Sequence, residues 1–227
     1  MSLKENRFFR AAKRRAYASL LLKRRMKHPS FGAALHDEIG GKQDYFRYAT
    51  LALALERLEL DKIEGSLAEV GVYRGETSRI IHAAAPERRL YLLDTFEGFP
   101  AEHLETWQQG DIRFKDTSFE AVATSFMDAP NVHIRPGTVP QTLEALKQER
   151  FAFVLLDLDL YSPTLASLDF FYPRLETGGY LVVHDYNNPE SDWACKRALD
   201  TFLADKPEFL IEIGDLWGTA MIRKCAA

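Results

Sequence analysis

The stretch Glu69-Val70-Gly71-Val72-Tyr73-Arg74-Gly75 joins the end of an apolar run, 67–72, to the start of a helical stretch, 76–85. Glycines at such a junction let a turn approach a ligand closely, and the helix start offers free amides to a carboxylate or phosphate. Thr77 and Ser78, in that first turn, add hydroxyls. Gly71 and Gly75 do not complete the G-x-G-x-x-G fingerprint of a dinucleotide site. A structural turn that needs glycine explains the stretch almost as well, so its meaning depends on its surroundings.

Working outward, apolar runs at 90–93, 132–135, 151–156 and 180–183 predict strands, and 209–213 and 217–223 are two last strand candidates. Helical spacing marks 119–127, 141–150, 163–175 and 193–204, and upstream 42–60, where Tyr45, Tyr48, Ala49, Ala52, Leu55 and Leu58 keep the period. Strands alternating with helices, with continuous apolar strands, mean a parallel sheet covered on both faces. Such sheets bind ligands beyond the carboxyl ends of their strands, where the strand order reverses. Glu69 to Gly75, Asp94, Gly137, Asp157, Asp159, His184 and Asp185 all fall at or just after predicted strand ends, which favours one shared site. The polar stretch 98–116 is long for a connection and predicts a lid, with His103, Trp107 and Gln108 on it. Trp107 either stacks on a ligand ring or packs into the loop's own core.

The 227 residues, 46% hydrophobic, suffice for one sizeable α/β core but not for a second full domain. No apolar run approaches the ~18 residues of a membrane span. The N-terminus lacks the apolar core of a signal peptide. Cys195 and Cys225 make neither a disulfide framework nor a zinc site, and a cytoplasmic location is expected. Charge is uneven. Residues 1–30 carry ten Lys/Arg against Glu5 alone, a net of +9; the whole chain is −4, which leaves −13 for the rest. Interleaved Phe8, Phe9, Ala12, Tyr17, Leu20 and Leu21 predict an amphipathic helix, either packed on the acidic body or in peripheral contact with an anionic surface. Residues 1–41 are therefore expected to form a basic helical extension and 42–227 the main domain.

Asp94 ends the second predicted strand, 25 positions after Glu69. An acidic residue there can accept hydrogen bonds from both hydroxyls of a ribose; a strand-end Asp also simply starts turns. Arg135-Pro136-Gly137-Thr138, after the third strand, would border the nucleotide base. Asp157-Leu158-Asp159 closes the most apolar strand and His184-Asp185 the next. Adjacent parallel strands would bring these three carboxylates and the imidazole together, where they repel unless a cation or proton sits among them. Oxygen ligands on rigid strand ends suit Mg²⁺. Taken singly, Asp159 and Asp185 also read as helix-cap or turn residues.

The segments EVGVYRGETS, LLDTFEGFP, DLDLYSPT and GGYLVVHDY, followed by CKRALDTF, resemble the macrocin O-methyltransferase family (TylF-type) in order and spacing across roughly residues 45–223. The basic first thirty residues lie outside the matched motifs. The resemblance implies a Rossmann-like class I methyltransferase, with a mostly parallel seven-stranded sheet, helices on both faces and an antiparallel last strand. It implies S-adenosyl-L-methionine as cofactor, with Glu69, Gly71 and Gly75 along the methionine part, Asp94 on the ribose and Gly137 and Thr138 near the adenine. Tyr73, Thr77, Ser78, Thr95, Phe96 and Asp157 complete that expected wall. It further implies a divalent metal, Mg²⁺ in the first instance, on Asp157, His184 and Asp185, and Asp159 as general base. The family pattern has Asp-Asp-Tyr where this chain has His184-Asp185-Tyr186. Imidazole prefers Mn²⁺ or another softer ion. Three outcomes follow: a softer metal, a His184 moved to outer-shell or proton-transfer duty, or lost metal dependence.

The expected activity is O-methylation of a small-molecule acceptor, a sugar, glycoside or phenol, with no nucleic acid involved and a homo-oligomer open. Two competitors stand beside it. One is an NAD(P)-dependent oxidoreductase on the same sheet, disfavoured by the missing third glycine and by carboxylates that hydride transfer does not need. The other is a non-catalytic protein that binds anionic surfaces through residues 1–30.

Overall fold

The computed structural model describes residues 28, 30–40 and 42–226. The expected amphipathic basic helix lies almost wholly outside the described residues. Helices α1 (Ala33–Ile39) and α2 (Tyr45–Leu60) lead into strand β1 (Ser66–Val70), helix α3 (Glu76–Ala84) and strand β2 (Leu90–Asp94). After a long connection come α4 (Phe119–Ser125), β3 (Val132–Pro136), β4 (Phe151–Leu156), α5 (Tyr161–Phe171), β5 (Leu175–Val183), α6 (Ala194–Leu203), β6 (Ile211–Ile213) and β7 (Thr219–Arg223). The seven strands form one sheet in the order β3-β2-β1-β4-β5-β7-β6. Neighbours from β3 through β5 are parallel, and β7 runs antiparallel to both β5 and β6. This is the expected mostly parallel sheet with an antiparallel last strand.

Alternate residues of a strand point to opposite faces, and both faces are dry. In β4, Val154 and Leu156 pack with Leu168 and Phe171 of α5 and Leu199 and Phe202 of α6. Phe153 and Leu155 pack with Leu51, Leu55 and Leu58 of α2, Ile81 of α3 and Val122 of α4. Phe31, Leu35 and Ile39 join Tyr48, Ala52 and Ile80 in a smaller cluster. The expected boundary at residue 41 thus falls between two helices, α1 and α2, that share buried contacts. Among the described residues no helix is long and apolar enough to cross a membrane.

Three elements differ from the sequence expectation. Residues 141–150 form only a 3₁₀ turn, Gln141–Leu146, with Leu143 and Leu146 buried at its three-residue spacing. Strand β5 begins five residues before the expected 180, its pairing with β4 shifting register ahead of Tyr180. The 98–116 connection contains two 3₁₀ turns, Ala101–His103 and Thr106–Gln108, and Arg197 of α6 holds Glu105 at 2.7 Å.

The chain departs from β1 toward β2 and β3 on one side, and returns to β4 and β5 on the other. The strand order therefore reverses between β1 and β4. Register does the rest. Val70 is level with Leu93 and Leu156, and Leu156 with Val183. The residues one step beyond form a line across the sheet edge: Gly137 N–H donates to the Asp94 carbonyl, Gly71 to Leu93, Asp157 to Val70 and His184 to Leu156, all at 2.8–2.9 Å. Gly71 has φ +91°, and a Cβ there would lie 1.9 Å from the Asp157 carbonyl oxygen. Backbone crowding and a left-handed φ both demand glycine. Gly71→Ala is expected to destabilise the fold by about 2–4 kcal/mol. A urea-unfolding midpoint equal to that of the wild type would show that β1 and β4 need not approach this closely.

Candidate functional site

A cleft of about 410 Å³ opens over the β1–β4 reversal. Its first wall comes from β1, β2 and the turns after them. Asp94 ends β2, and its carboxylate accepts three backbone N–H bonds: from Val72 and Tyr73 at 2.6 and 2.8 Å on one oxygen, and from Phe96 at 2.6 Å on the other. The residue expected on a ribose is thus also the clamp that shapes the glycine turn. The Oδ1 oxygen, with Phe96 N–H alone on it, keeps a further lone pair. Glu69 shares the β1 face of Leu67, so it points toward α3, where the Ser78 hydroxyl donates to it. Burial pushes the Glu69 carboxyl up to about 8, against the Ser78 bond and with help from the Asp157 charge.

Glu69, Gly71, Tyr73, Thr77, Asp94, Thr95, Gly137 and Asp157 all line the cleft. Four residues of the expected cofactor wall do not. Gly75 caps α3 with φ +70°, Ser78 sits behind Glu69, Phe96 is buried against Phe119, and Thr138 bonds Gln141 at 2.8 Å. Tyr73 and the following loop are tied together. The tyrosine hydroxyl donates to Asp116 at 2.6 Å, and its ring meets Phe114 edge-on at 5.2 Å.

The second wall is ionic. The strand-end line brings Asp157, His184 and Asp185 together, each with a potential ligand atom within 4.8 Å of the others. His184 Nδ1 lies 3.1 Å from Asp157 Oδ1 and 2.9 Å from Asp185 Oδ2. The other Asp157 oxygen accepts a hydrogen bond from the buried Arg47 guanidinium. Burial opposes charge on Asp157, yet Arg47 and His184 outweigh it and hold its carboxyl well below the usual range. Burial likewise pulls His184 down, but the Asp157 charge and the bonds to both carboxylates push it up to about 10. Asn188 Nδ2 donates to Asp185 Oδ1 at 3.0 Å.

Asp159 is 6% exposed, lines the same cleft, and accepts no hydrogen bond from the described residues. Burial first, then the charges of Asp185 and Asp157, raise its carboxyl well above the ordinary value. A carboxylate so raised is a better proton acceptor than its neighbours.

Arg47, Arg113, Asn188 and Trp217 also line the cleft, and motif spacing pointed to none of them. Arg47 carried one legible signal: it falls four residues before Leu51 on the buried stripe of α2, a costly place for an unpaired guanidinium. Of the expected lid residues, His103 lines the cleft. Trp107 lies off it and bonds Glu105 at 3.1 Å, while Gln108 is buried in the capping of its own turn. An aromatic platform at the mouth comes instead from Trp217, before β7, which is 47% exposed with φ +65°.

Two outcomes are expected. Because the folded Glu69 carboxyl titrates near 8 and the unfolded one near 4.5, its neutral form stabilises the fold below about 4.5, and that contribution is lost as pH rises through 8. Glu69→Gln should therefore gain on the wild type by more than about 1 kcal/mol between pH 4.5 and 8.5 in urea unfolding. A constant gap would refute the buried titration. Arg47→Met strips Asp157 of one of its two cationic partners and should cost about 3 kcal/mol in the same measurement at pH 7.

Comparison with known proteins agrees with this layout. The 8-demethyl-8-(2,3-dimethoxy-α-L-rhamnosyl)-tetracenomycin-C 4'-O-methyltransferase of Streptomyces olivaceus is 29% identical over 156 residues, 62% of this chain and 60% of that protein. The chain thus spans less than two thirds of that relative's length. The mycinamicin III 3''-O-methyltransferase of Micromonospora griseorubida is 29% identical over 185 residues, 74% of this chain and 70% of that protein. The solved structure of the O-methyltransferase NovP superposes with a TM-score of 0.68 at 26% identity, covering 80% of this chain and 81% of that one. Residues 7–218 match the family described as Macrocin-O-methyltransferase (TylF), so the match reaches into the basic segment that the motifs left out. With nearly its whole length matched, the chain belongs to the macrocin O-methyltransferase (TylF) family.

Proposed function

We propose that this protein transfers the methyl group of S-adenosyl-L-methionine to a hydroxyl of a sugar or natural-product acceptor. The observation that carries the proposal is a single cleft shared by two features. The Gly71–Asp94 turn lines one wall, and Asp159, a buried carboxylate of raised proton affinity, lines the other. Relatives named for O-methylation of glycosylated natural products support the acceptor class. Trp217 and His103 at the mouth offer flat faces for a sugar or aromatic ring. The family assignment and the missing third glycine both weigh against the nicotinamide alternative.

The sulfonium methyl is already activated, so the chain's task is to align an acceptor oxygen and take its proton. Asp159 accepts the hydroxyl proton as the oxygen lone pair forms the new C–O bond. The C–S bond breaks, and its electrons stay on sulfur to leave S-adenosylhomocysteine. Arg47 keeps Asp157 ionised and fixed beside this reaction path.

We further propose that Asp157, His184 and Asp185 hold a divalent ion. The residues offer a donor set for one: a His184 nitrogen and one oxygen each of Asp157 and Asp185 lie within 4.8 Å of one another, and the second Asp157 oxygen is occupied by Arg47. One nitrogen and two oxygens suit Mn²⁺ or another ion of its class better than Mg²⁺. When bound, the ion would lower the pKa of an acceptor hydroxyl and stabilise the oxygen's developing charge.

S-adenosylhomocysteine should raise the melting temperature of the protein and NAD⁺ should not; the reverse would sink the cofactor assignment. Asp159→Asn should lower turnover by at least about 100-fold while S-adenosylhomocysteine affinity stays within about threefold. Full activity in that variant would remove the base. EDTA should silence methyl transfer and Mn²⁺ restore it; activity that survives thorough chelation would reject the metal.

A further inference from the structure

Arg113 stands at the neck of the 98–116 connection and lines the cleft that also holds Asp159. Its place is fixed from three sides. Asp111 Oδ1 accepts the Arg113 backbone N–H at 2.9 Å, and Asp111 Oδ2 takes the guanidinium at Nε and Nη2, both at 2.9 Å. The guanidinium carbon lies 5.3 Å from the Phe99 ring centre and 5.7 Å from that of Phe114, and those two rings meet edge-on at 5.2 Å. Gly98, at φ +85°, leaves room for the Arg113 carbonyl, which a Cβ would meet at 2.8 Å. The two ends of the connection are thus closed on one another, with Arg113 at the closure.

Asp111 takes only one edge of the guanidinium. The side-chain bonds of Arg113 among the described residues run from Nε and Nη2 to Asp111, which leaves the Nη1 N–H groups without an acceptor there. Asp159 is the opposite case, a buried carboxylate in the same cleft that accepts no hydrogen bond from the described residues. Burial opposes the Arg113 charge, but the bond to Asp111 and then the Asp159 charge outweigh it, with Glu190 adding to them. Arg113 and Asp159 therefore feel each other's charge without a direct bond between them. A free donor and a free acceptor in one cleft suit a ligand that offers the reverse pair: a hydroxyl that gives up its proton and a neighbouring oxygen that accepts.

We propose that Arg113 grips the oxygen beside the reacting hydroxyl, so that the acceptor is a sugar ring presenting two adjacent oxygens. Asp159 takes the proton of one while Arg113 Nη1 donates to the other. The proposal rests on the methyl-transfer reading above and adds to it the group that orients the acceptor. A guanidinium only donates, so the neighbouring oxygen serves equally as a free hydroxyl or as an ether, whereas a CH₂ there leaves Nη1 unpaired. Arg113 is thereby a specificity-determining residue: it sets which hydroxyl of the ring faces Asp159.

Methyl α-L-rhamnopyranoside, its monodeoxy derivatives and its mono-O-methyl ethers test it, with kcat/KM for methyl transfer measured with Mg²⁺ and Mn²⁺ both supplied. In the wild type, removing the oxygen next to the methylated position should lower kcat/KM by about 10–100-fold, whereas converting it to an ether should change it by less than about threefold. In Arg113→Met the parent glycoside should lose the same factor, and the deoxy derivative should lose nothing further. Arg113→Lys should recover only part, because an ammonium lacks the fork that Asp111 holds. S-adenosylhomocysteine affinity close to that of the wild type in both variants would certify the fold. Unchanged kcat/KM in Arg113→Met, or a variant that still discriminates against the deoxy derivative as the wild type does, overturns the proposal. So does a wild type that methylates none of the probes. If S-adenosylhomocysteine also fails to raise its melting temperature, the cofactor reading falls as well.

Discussion

Everything at the site hangs on how closely β1 and β4 approach at the point where the sheet's order reverses. Gly71 has no side chain because the Asp157 carbonyl occupies the space a Cβ would fill. That contact locks the register, and the register aligns Gly137, Asp94, Gly71, Asp157 and His184 along one edge. Parallel strands make this alignment general: each delivers its next residue to the same rim. What is particular to this chain is the chemistry placed there, two hydrogen-bonding glycine turns on one side and a packed set of acids on the other.

Those acids set the second constraint. Asp159 and Asp185 are buried and Asp157 half-buried at this edge, where like charges repel strongly. The chain answers with Arg47, brought from a helix 110 residues earlier, and with His184 from the neighbouring strand. The balance is asymmetric. Asp157 takes both cationic partners and stays ionised, whereas Asp159 takes no hydrogen bond from the described residues and gains proton affinity. Two carboxylates two residues apart thereby acquire opposite tendencies, one to hold a positive charge and one to take a proton.

The same residues couple distant parts of the chain. The cap of α2 reaches the segment before β7 through Asp44, and that segment carries Trp217 to the mouth of the cleft. Helix α2 thus supplies a core stripe, a buried counter-ion and a brace for the acceptor side. A substitution near residue 44 therefore bears on both the hydrophobic core and the site.

The sequence by itself determined the strand–helix alternation, the parallel sheet and the rim on which functional residues fall, because apolar periodicity and strand-end position are local properties. It also marked Glu69, Gly71, Asp94, Asp157, Asp159, His184 and Asp185, since each ends or follows a legible strand. Tertiary structure alone decided which of them share a charge and which face the cleft. Arg47, Asn188, Asp44 and Asp215 come from elements whose motifs say nothing of the site, and only packing brings them to it. In sequence Trp107 falls on an expected lid and Trp217 at the start of a strand candidate, but the fold set Trp107 outside the cleft and Trp217 on it. Gln141 to Arg150 kept a helical period yet formed a short 3₁₀ turn, because burial of Leu143 and Leu146 at three-residue spacing outweighed propensity. Local patterns fix what a segment can become, and the energies of long-range burial and charge pairing fix what it meets.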